Sequence, residues 1–283
     1  MILALLLSTS AFVSAPTAAE AQCGAPPGAA ALLAETEGRV LVIGELHGTN
    51  EAPALAGSVV CLALSQGERV ALGLELSADE QASLDGYMAS DGGMTARAAL
   101  LDDEYWMSEV QDGRRSHAMM RLIETARGWQ AAGLPAEVQA LDAGEADADL
   151  ADDPATQRDR AMLRRALAAR DRADRVIVLV GNVHSRRTAY TFGDQRIETL
   201  GTLSAPGDLA LLNTLYGAGE AWNCTMPDGQ LVCGAREVWP GPVNGDPRVL
   251  TPEEAEALSD PSAYDYFVYL GPASVSPPAA GAP

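Results

Sequence analysis

The sequence predicts an α/β fold: a mostly parallel sheet flanked by helices on both faces, with a small β-rich, disulfide-containing C-terminal appendage. Three observations point there. Apolar runs rich in β-branched residues recur at 39–44 (RVLVIG), 69–75 (RVALGLE) and 175–181 (RVIVLVG); such runs suit strands buried on both faces. Segments with apolar residues at helical spacing separate them, and strand–helix alternation favours a parallel sheet. After Glu198 the texture changes to short strand candidates, glycines, prolines and a pair of cysteines.

In chain order, the first strand leads into a helix over 51–65, with Asn50 as the expected N-cap, Pro53 in the first turn and Gly67 beyond the end. The second strand is followed by short helices over 78–87 and 94–101. The helix over 117–132 carries Met119, Leu122, Ile123, Ala126 and Trp129 on one face, with Ser116 as a candidate N-cap. Residues 136–141 read as a third strand. A charged helix over 156–172 bears Met162, Leu163, Ala166 and Leu167 as its apolar stripe. Thr251-Pro252-Glu253-Glu254 opens a short helix, with Thr251 as cap and Pro252 at its first position. A last strand spans 264–270. One domain is expected over 22–275, with 204–250 as a β-rich subdomain and the Pro/Ala segment 276–283 as a disordered tail. The tryptophans Trp106, Trp129, Trp222 and Trp239 read as packing residues.

The chain has 283 residues, 47% of them hydrophobic, so it can bury a sizeable core. Its formal charge of −20 repels nucleic acid and anionic membrane surfaces. Residues 1–15 form a largely apolar run, and Ala19-Glu20-Ala21 matches an A-x-A cleavage site. A signal peptide over 1–21 and a periplasmic or secreted protein are therefore expected, although no Lys or Arg precedes the run. No later stretch reaches 18 apolar residues, so no membrane span is expected after signal removal. The four cysteines suit disulfides in an exported chain. Cys224 and Cys233 flank a Met-Pro-Asp-Gly turn and favour a local bridge, which leaves Cys23 with Cys61.

Ionisable residues collect at the carboxyl ends of three strands: Gly44-Glu45-Leu46-His47-Gly48, Leu74-Glu75 and Gly181-Asn182-Val183-His184. Ligands of open α/β sheets bind outside strand carboxyl ends. Glu45 and His47 are two apart, so extended backbone points both to one side. Only three histidines occur, and two stand in G-x-x-H after apolar strands. Ionised Glu is rarely buried unless paired or coordinating. Together these residues mark a functional cleft better than any one of them.

Glu45-Leu46-His47-Gly48-Thr49-Asn50-Glu51, Leu72-Gly73-Leu74-Glu75, Arg158-Asp159-x-x-Met162 and Gly181-Asn182-Val183-His184 resemble the motifs of the Tiki/TraB, erythromycin-esterase and ChaN-like superfamily. The single residue between Glu45 and His47 is closer to the ChaN and Tiki spacing. The resemblance covers roughly residues 38–203. It implies one scaffold with several activities: metal-dependent proteolysis, metal-free lactone hydrolysis, or haem and iron binding. Fold likeness does not choose among them.

Asked directly, the residues support a hydrolase of an ester, lactone or amide, acting on a small-molecule or peptide substrate. In a metal-assisted version, His47 and His184 with Glu45 or Glu75 hold a divalent ion (Zn, Mn, Co or Fe), and the other Glu is the base. In a metal-free version, His47 activates water while His184, Asn182 or an arginine stabilises the oxyanion, with no cofactor. The alternative is a haem- or iron-binding uptake protein with His47, His184 or a tyrosine as axial ligand. Arg114 is a secondary candidate for orienting substrate. Glu51 either reaches the site or favours its helix N-terminus electrostatically. His117 reads as a surface or core residue. G-x-S-x-G, H-E-x-x-H, P-loop and EF-hand patterns are absent.

Overall fold

The computed structural model describes residues 15–150, 153–192 and 194–281. Its strands are β1 (Val40–Glu45), β2 (Val70–Ser77), β3 (Ala136–Asp142), β4 (Arg175–Gly181), β5 (Tyr190–Phe192), β6 (Gln195–Ile197), β7 (Leu209–Gly217), β8 (Gly219–Thr225), β9 (Val232–Val238), β10 (Arg248–Val249) and β11 (Tyr266–Pro272). Its α-helices are α1 (Ala18–Cys23), α2 (Ala29–Glu35), α3 (Glu51–Ser65), α4 (Gln81–Met88), α5 (Met94–Leu101), α6 (His117–Ala131), α7 (Pro154–Ala169), α8 (Leu200–Leu203) and α9 (Pro252–Glu256).

The main sheet runs β10-β11-β7-β1-β4-β2-β3. Every pairing in it is parallel except β10 with β11. β1 and β4 are buried along their whole length, as expected of central parallel strands covered on both sides. One core joins the sheet to α2, α3, α4 and α6, through residues such as Leu33, Leu62, Leu84 and Ile123. A second core lies on the opposite face, where Met162 and Ala166 of α7 and Leu200 of α8 meet Val42 and Val178. β4 inserts between β1 and β2, so the carboxyl ends of these three strands stand side by side.

Several boundaries move for identifiable reasons. α7 begins earlier because Asp153 caps it, accepting a bond from the Thr156 amide at 2.8 Å, and Pro154 takes the first position. Asn50 makes no cap bond to α3; its amide instead donates to the carbonyls of Ser274 and Val275 at 3.3 and 2.9 Å. Ser116 and Thr251 do cap their helices. Within the expected subdomain, residues 209–217 (LALLNTLYG) form β7, a main-sheet strand between β1 and β11, because seven of its nine positions are buried. What stands apart is the antiparallel hairpin β8–β9.

Residues 276–281 do not form the free tail expected. Pro277 and Arg115 carbonyls accept bonds from the His117 and Ala279 amides at 2.8 Å, and Ser276 Oγ accepts from the Ala118 amide at 2.8 Å. The bonds from the His117 and Ala118 amides satisfy two of the otherwise orphaned donors at the start of α6. Trp239 is also no packing residue: it is 82% exposed.

The disulfides join Cys23 to Cys61, tying α1 to α3, and Cys224 to Cys233, bridging β8 and β9. The apolar leader lies outside the described residues up to residue 14. Ala19–Ala21 falls within α1, where buried Glu20 accepts bonds from the Thr17 and Ala30 amides at 2.7 and 2.9 Å. Among the described residues no helix is long and apolar enough to cross a membrane.

Candidate active site

β1, β4 and β2 deliver their last residues to one rim. Glu45 and Gly181 are register partners across β1 and β4, and the Glu45 carbonyl accepts a bond from the Asn182 amide at 2.8 Å. Just beyond β1 the chain must turn sharply: Gly48 has φ +75°, and a Cβ there would lie 1.9 Å from the Trp222 carbonyl oxygen. Only glycine meets both demands. Gly181 is small for a related reason. A Cβ on it would sit 2.9 Å from His47 Nε2, in the space where the imidazole crosses the end of β4.

Two carboxylate–imidazole pairs result. His47 Nδ1 lies 2.8 Å from Glu45 Oε1, and His184 Nδ1 lies 2.8 Å from Asp159 Oδ2. A carboxylate at Nδ1 fixes the ring's orientation and leaves Nε2 for chemistry. The two Nε2 atoms face the same group: Glu75 is 3.6 Å from His47 Nε2 and 3.7 Å from His184 Nε2. Glu75 is 2% exposed, and its burial is compensated by bonds from Arg158 Nη2 at 2.6 Å, Arg114 Nη1 at 3.3 Å and the Gly181 amide at 2.7 Å. Further carboxylates hold the arginines. Asp112 accepts from Arg114 Nη2 at 2.6 Å, and Asp142 accepts from Arg158 Nη2 at 2.7 Å.

These contacts determine the charge states. Burial pushes the Glu75 pKa up, but His184, His47, Arg158 and Arg114 together bring it well below the usual carboxylate range. Burial likewise works against protonating His47; the Glu75 charge and the bond to Glu45 outweigh it and raise the pKa. His184 is raised in the same way, by Glu75 and Asp159 against burial. Asp159 itself is shifted up, chiefly by burial.

A pH dependence of stability follows. Because both imidazoles bind protons more tightly when folded, their contribution is fully present below the unfolded His pKa of about 6.5 and is lost as pH rises through the raised folded values. Glu75 acts in the opposite direction: its contribution is present above the ordinary glutamate value of 4.5 and is lost as pH falls through the depressed folded value. Thermal unfolding between about pH 4 and 9 should therefore show a melting temperature that declines on the alkaline side through the histidine region. In His47→Gln that alkaline decline should shrink. An unchanged slope in this variant would show that His47 is not held cationic.

Of the residues the sequence marked, Glu45, His47, Glu75, His184 and Arg114 converge here. Asn182 contributes backbone: its carbonyl accepts from Ser185 Oγ at 3.1 Å and from the Tyr264 hydroxyl at 2.9 Å. Glu51 does not reach the site, because its carboxylate accepts the Ser274 amide at 3.1 Å and also bonds that residue's hydroxyl. His117 starts α6 and has its pKa lowered by burial and by Arg97 and Arg121. Sequence reasoning did not assign Asp142, Asp159, Arg158 or Asp112 to the site. Asp142 ends β3, so the strand-end rule that found Glu75 applied to it as well. Asp159 falls at 159, 162, 163 and 166 on the apolar stripe of α7, a position where a carboxylate needs a buried partner.

A divalent metal does not fit this donor set. Glu45 stands on the Nδ1 side of His47, away from Nε2, and the Glu75 oxygens already accept bonds from two guanidinium groups and an amide. An incoming dication would meet Arg114 and Arg158 at the one carboxylate between the imidazoles. Among the described residues no group of three or more His, Cys, Asp or Glu side chains has metal-holding geometry.

The chain shares its fold with several solved structures, an erythromycin esterase among them. It is similar to a succinoglycan biosynthesis protein (TM-score 0.62, 10% identity, over 87% of this chain and 90% of the other). It is similar to an erythromycin esterase mutant in its open conformation (TM-score 0.61, 10% identity, 86% and 92%). A Bacillus cereus protein gives a TM-score of 0.59 at 13% identity over 87% and 91%. No protein-family model and no curated protein sequence matches the chain.

Proposed function

We propose that the protein is an exported, metal-independent hydrolase of an ester, lactone or amide. The observation that carries this reading is the pair of oriented imidazoles whose Nε2 atoms face one buried carboxylate between two arginines. His47, 20% exposed against 13% for His184, is the general base: its neutral form takes a proton from water through Nε2 while Glu45 stabilises the imidazolium that forms. His184, held protonated by Asp159 and Glu75, donates to the leaving group. The two imidazoles share one negative environment and titrate as a pair, so a state with one neutral and one cationic ring exists between the two steps. The guanidinium groups of Arg114 and Arg158 favour negative charge developing on the carbonyl oxygen. Glu75, depressed well below the usual range and saturated with donors, is an electrostatic anchor and too weak a base for proton abstraction.

A haem reading has less support. The Nε2 atoms that would ligate iron face Glu75, and the surrounding side chains are charged rather than a flat apolar slot. Export is supported by the disulfides, which persist in oxidising compartments.

The test is turnover of a panel of chromogenic esters, lactones and anilides by protein purified with and without chelator. Hydrolysis of at least one class, unchanged after EDTA treatment and not increased by added Zn, Mn, Co or Fe, is expected. Activity that EDTA abolishes and a metal restores would overturn the metal-independent assignment.

A further inference from the structure

The hairpin β8–β9 lies outside the main sheet, yet one of its residues grips both loops that build the rim. The backbone amide of Trp222 donates to the carbonyl of Gly48, the residue after His47, at 3.0 Å. Its indole Nε1 donates to the carbonyl of Gln111, the residue before Asp112, at 2.8 Å. The two loops also touch each other. Gly113, at φ +95°, packs backbone against backbone: a Cβ on it would lie 2.4 Å from the Gly48 amide nitrogen and 2.8 Å from the His47 carbonyl carbon. Asp112 and Arg114 flank Gly113 and form an ion pair at 2.6 Å, so what holds Gln111 also holds the guanidinium that reaches Glu75 at 3.3 Å.

The two loops do not depend on Trp222 equally. The Gly48 carbonyl accepts a second bond, from the Ser276 amide at 2.8 Å, so the His47 turn has its own tether. Among the described residues, segment 109–114 makes no backbone–backbone hydrogen bond, and the indole is the one donor to the Gln111 carbonyl. The hairpin is itself braced. Trp222 pairs with Ala235 of β9, the Cys224–Cys233 disulfide joins the strands just beyond, and the Glu220 amide donates to the Ala273 carbonyl at 3.2 Å. A half-buried tryptophan on a braced strand, with its N–H spent on a loop that has few other ties, holds that loop in place as well as packing against it.

We propose that Trp222 is a positioning residue, whose indole N–H holds the Arg114 loop in register with His47 and Glu75 without itself touching substrate. Trp222→Phe tests this, because it keeps the backbone bond to Gly48 and an aromatic ring but removes the N–H. Its effect is measured in the parent and in an Arg114→Gln background, by kcat and by the NMR titration of His47. His47 faces Glu45 from β1, Glu75 from β2, Arg114 and Asp112 from the loop before α6, and, across Glu75, His184 and Arg158. Arg114 pulls the His47 pKa down, so its release should move the midpoint up.

The kinetic half of the test rests on the hydrolase reading, and the titration does not. In the parent, Trp222→Phe should lower kcat about fivefold or more with KM within about twofold; in Arg114→Gln it should change kcat by less than about twofold. Where a substrate is turned over this cycle decides: an unchanged kcat in the parent, or the same loss in both backgrounds, overturns the assignment. If no ester, lactone or amide is turned over, the hydrolase reading loses support and the titration decides. A rise in the His47 midpoint that disappears in Arg114→Gln then upholds the positioning role, and no rise, or one that persists in that background, removes it. If Trp222→Phe unfolds, the same measurements are made with benzothienylalanine at position 222, which keeps the shape of the ring system and lacks the N–H.

Discussion

Replacing Glu75 with alanine is expected to destabilise the protein by about 3–5 kcal/mol, the cost of stripping the counter-ion from a buried charge cluster. The carboxylate faces His47, His184, Arg114 and Arg158 at once. With it gone, two half-buried guanidinium groups lose a hydrogen-bond acceptor and both imidazoles lose the main charge that raises their pKa values. For a chain of this size the melting temperature should fall by roughly 6–20 °C. Glu75→Gln keeps the side-chain volume and an acceptor for the Gly181 amide but no charge, so it should fall between the two. In that variant the His47 and His184 titrations, followed by NMR, should move down toward the ordinary histidine value. A Glu75→Ala melt within 1–2 °C of the parent would show that the four cations are not held by this carboxylate.

That cluster also explains what was legible in the sequence. Residues 40–44, 70–74 and 176–181 are uninterrupted apolar runs, so both their strand character and the importance of the polar residues that follow them could be read locally. The two G-x-x-H elements were legible because the glycines and histidines stand together in sequence. Arg114 and the Arg158-Asp159 pair could be marked but not placed, and Asp112 and Asp142 were not marked, because pairing is set by three-dimensional register. Arg114 comes from the loop before α6, Arg158 from α7 and Asp142 from β3, and only the fold brings the two arginines to Glu75 and Asp142 to Arg158. β7 escaped for a different reason. Its Asn213 and Thr214 interrupt the apolar run, yet Thr214 is buried and its hydroxyl donates to the Gly44 carbonyl at 2.7 Å, a tertiary bond that no local pattern reports. The docked C-terminal segment is similar. Proline and alanine look like a linker by composition, while the Pro277 carbonyl and the Ser276 hydroxyl supply partners for the first amides of α6.

His47→Ala should lower kcat by about 10²–10⁴-fold on any substrate the enzyme turns over, the range lost with a positioned general base. The melting temperature should change little by comparison, since His47 is the more exposed imidazole and its removal leaves Glu75 paired with His184 and both arginines. Glu45→Gln separates orientation from proton transfer. It keeps a group that can contact Nδ1 but removes the charge that stabilises the imidazolium, so kcat should fall while KM stays near the parent value. The pH profile gives the sign. The base must be neutral to act, and its pKa is raised from 6.5, so kcat/KM for the parent should rise with pH along a limb displaced above the ordinary histidine midpoint. In Glu45→Gln that limb should move to lower pH, because one of the two carboxylates that hold the proton on His47 is gone. A His47→Ala enzyme that keeps more than about a tenth of its turnover would transfer the base role to His184, whose own pairing with Asp159 then predicts the mirror-image result for Asp159→Asn.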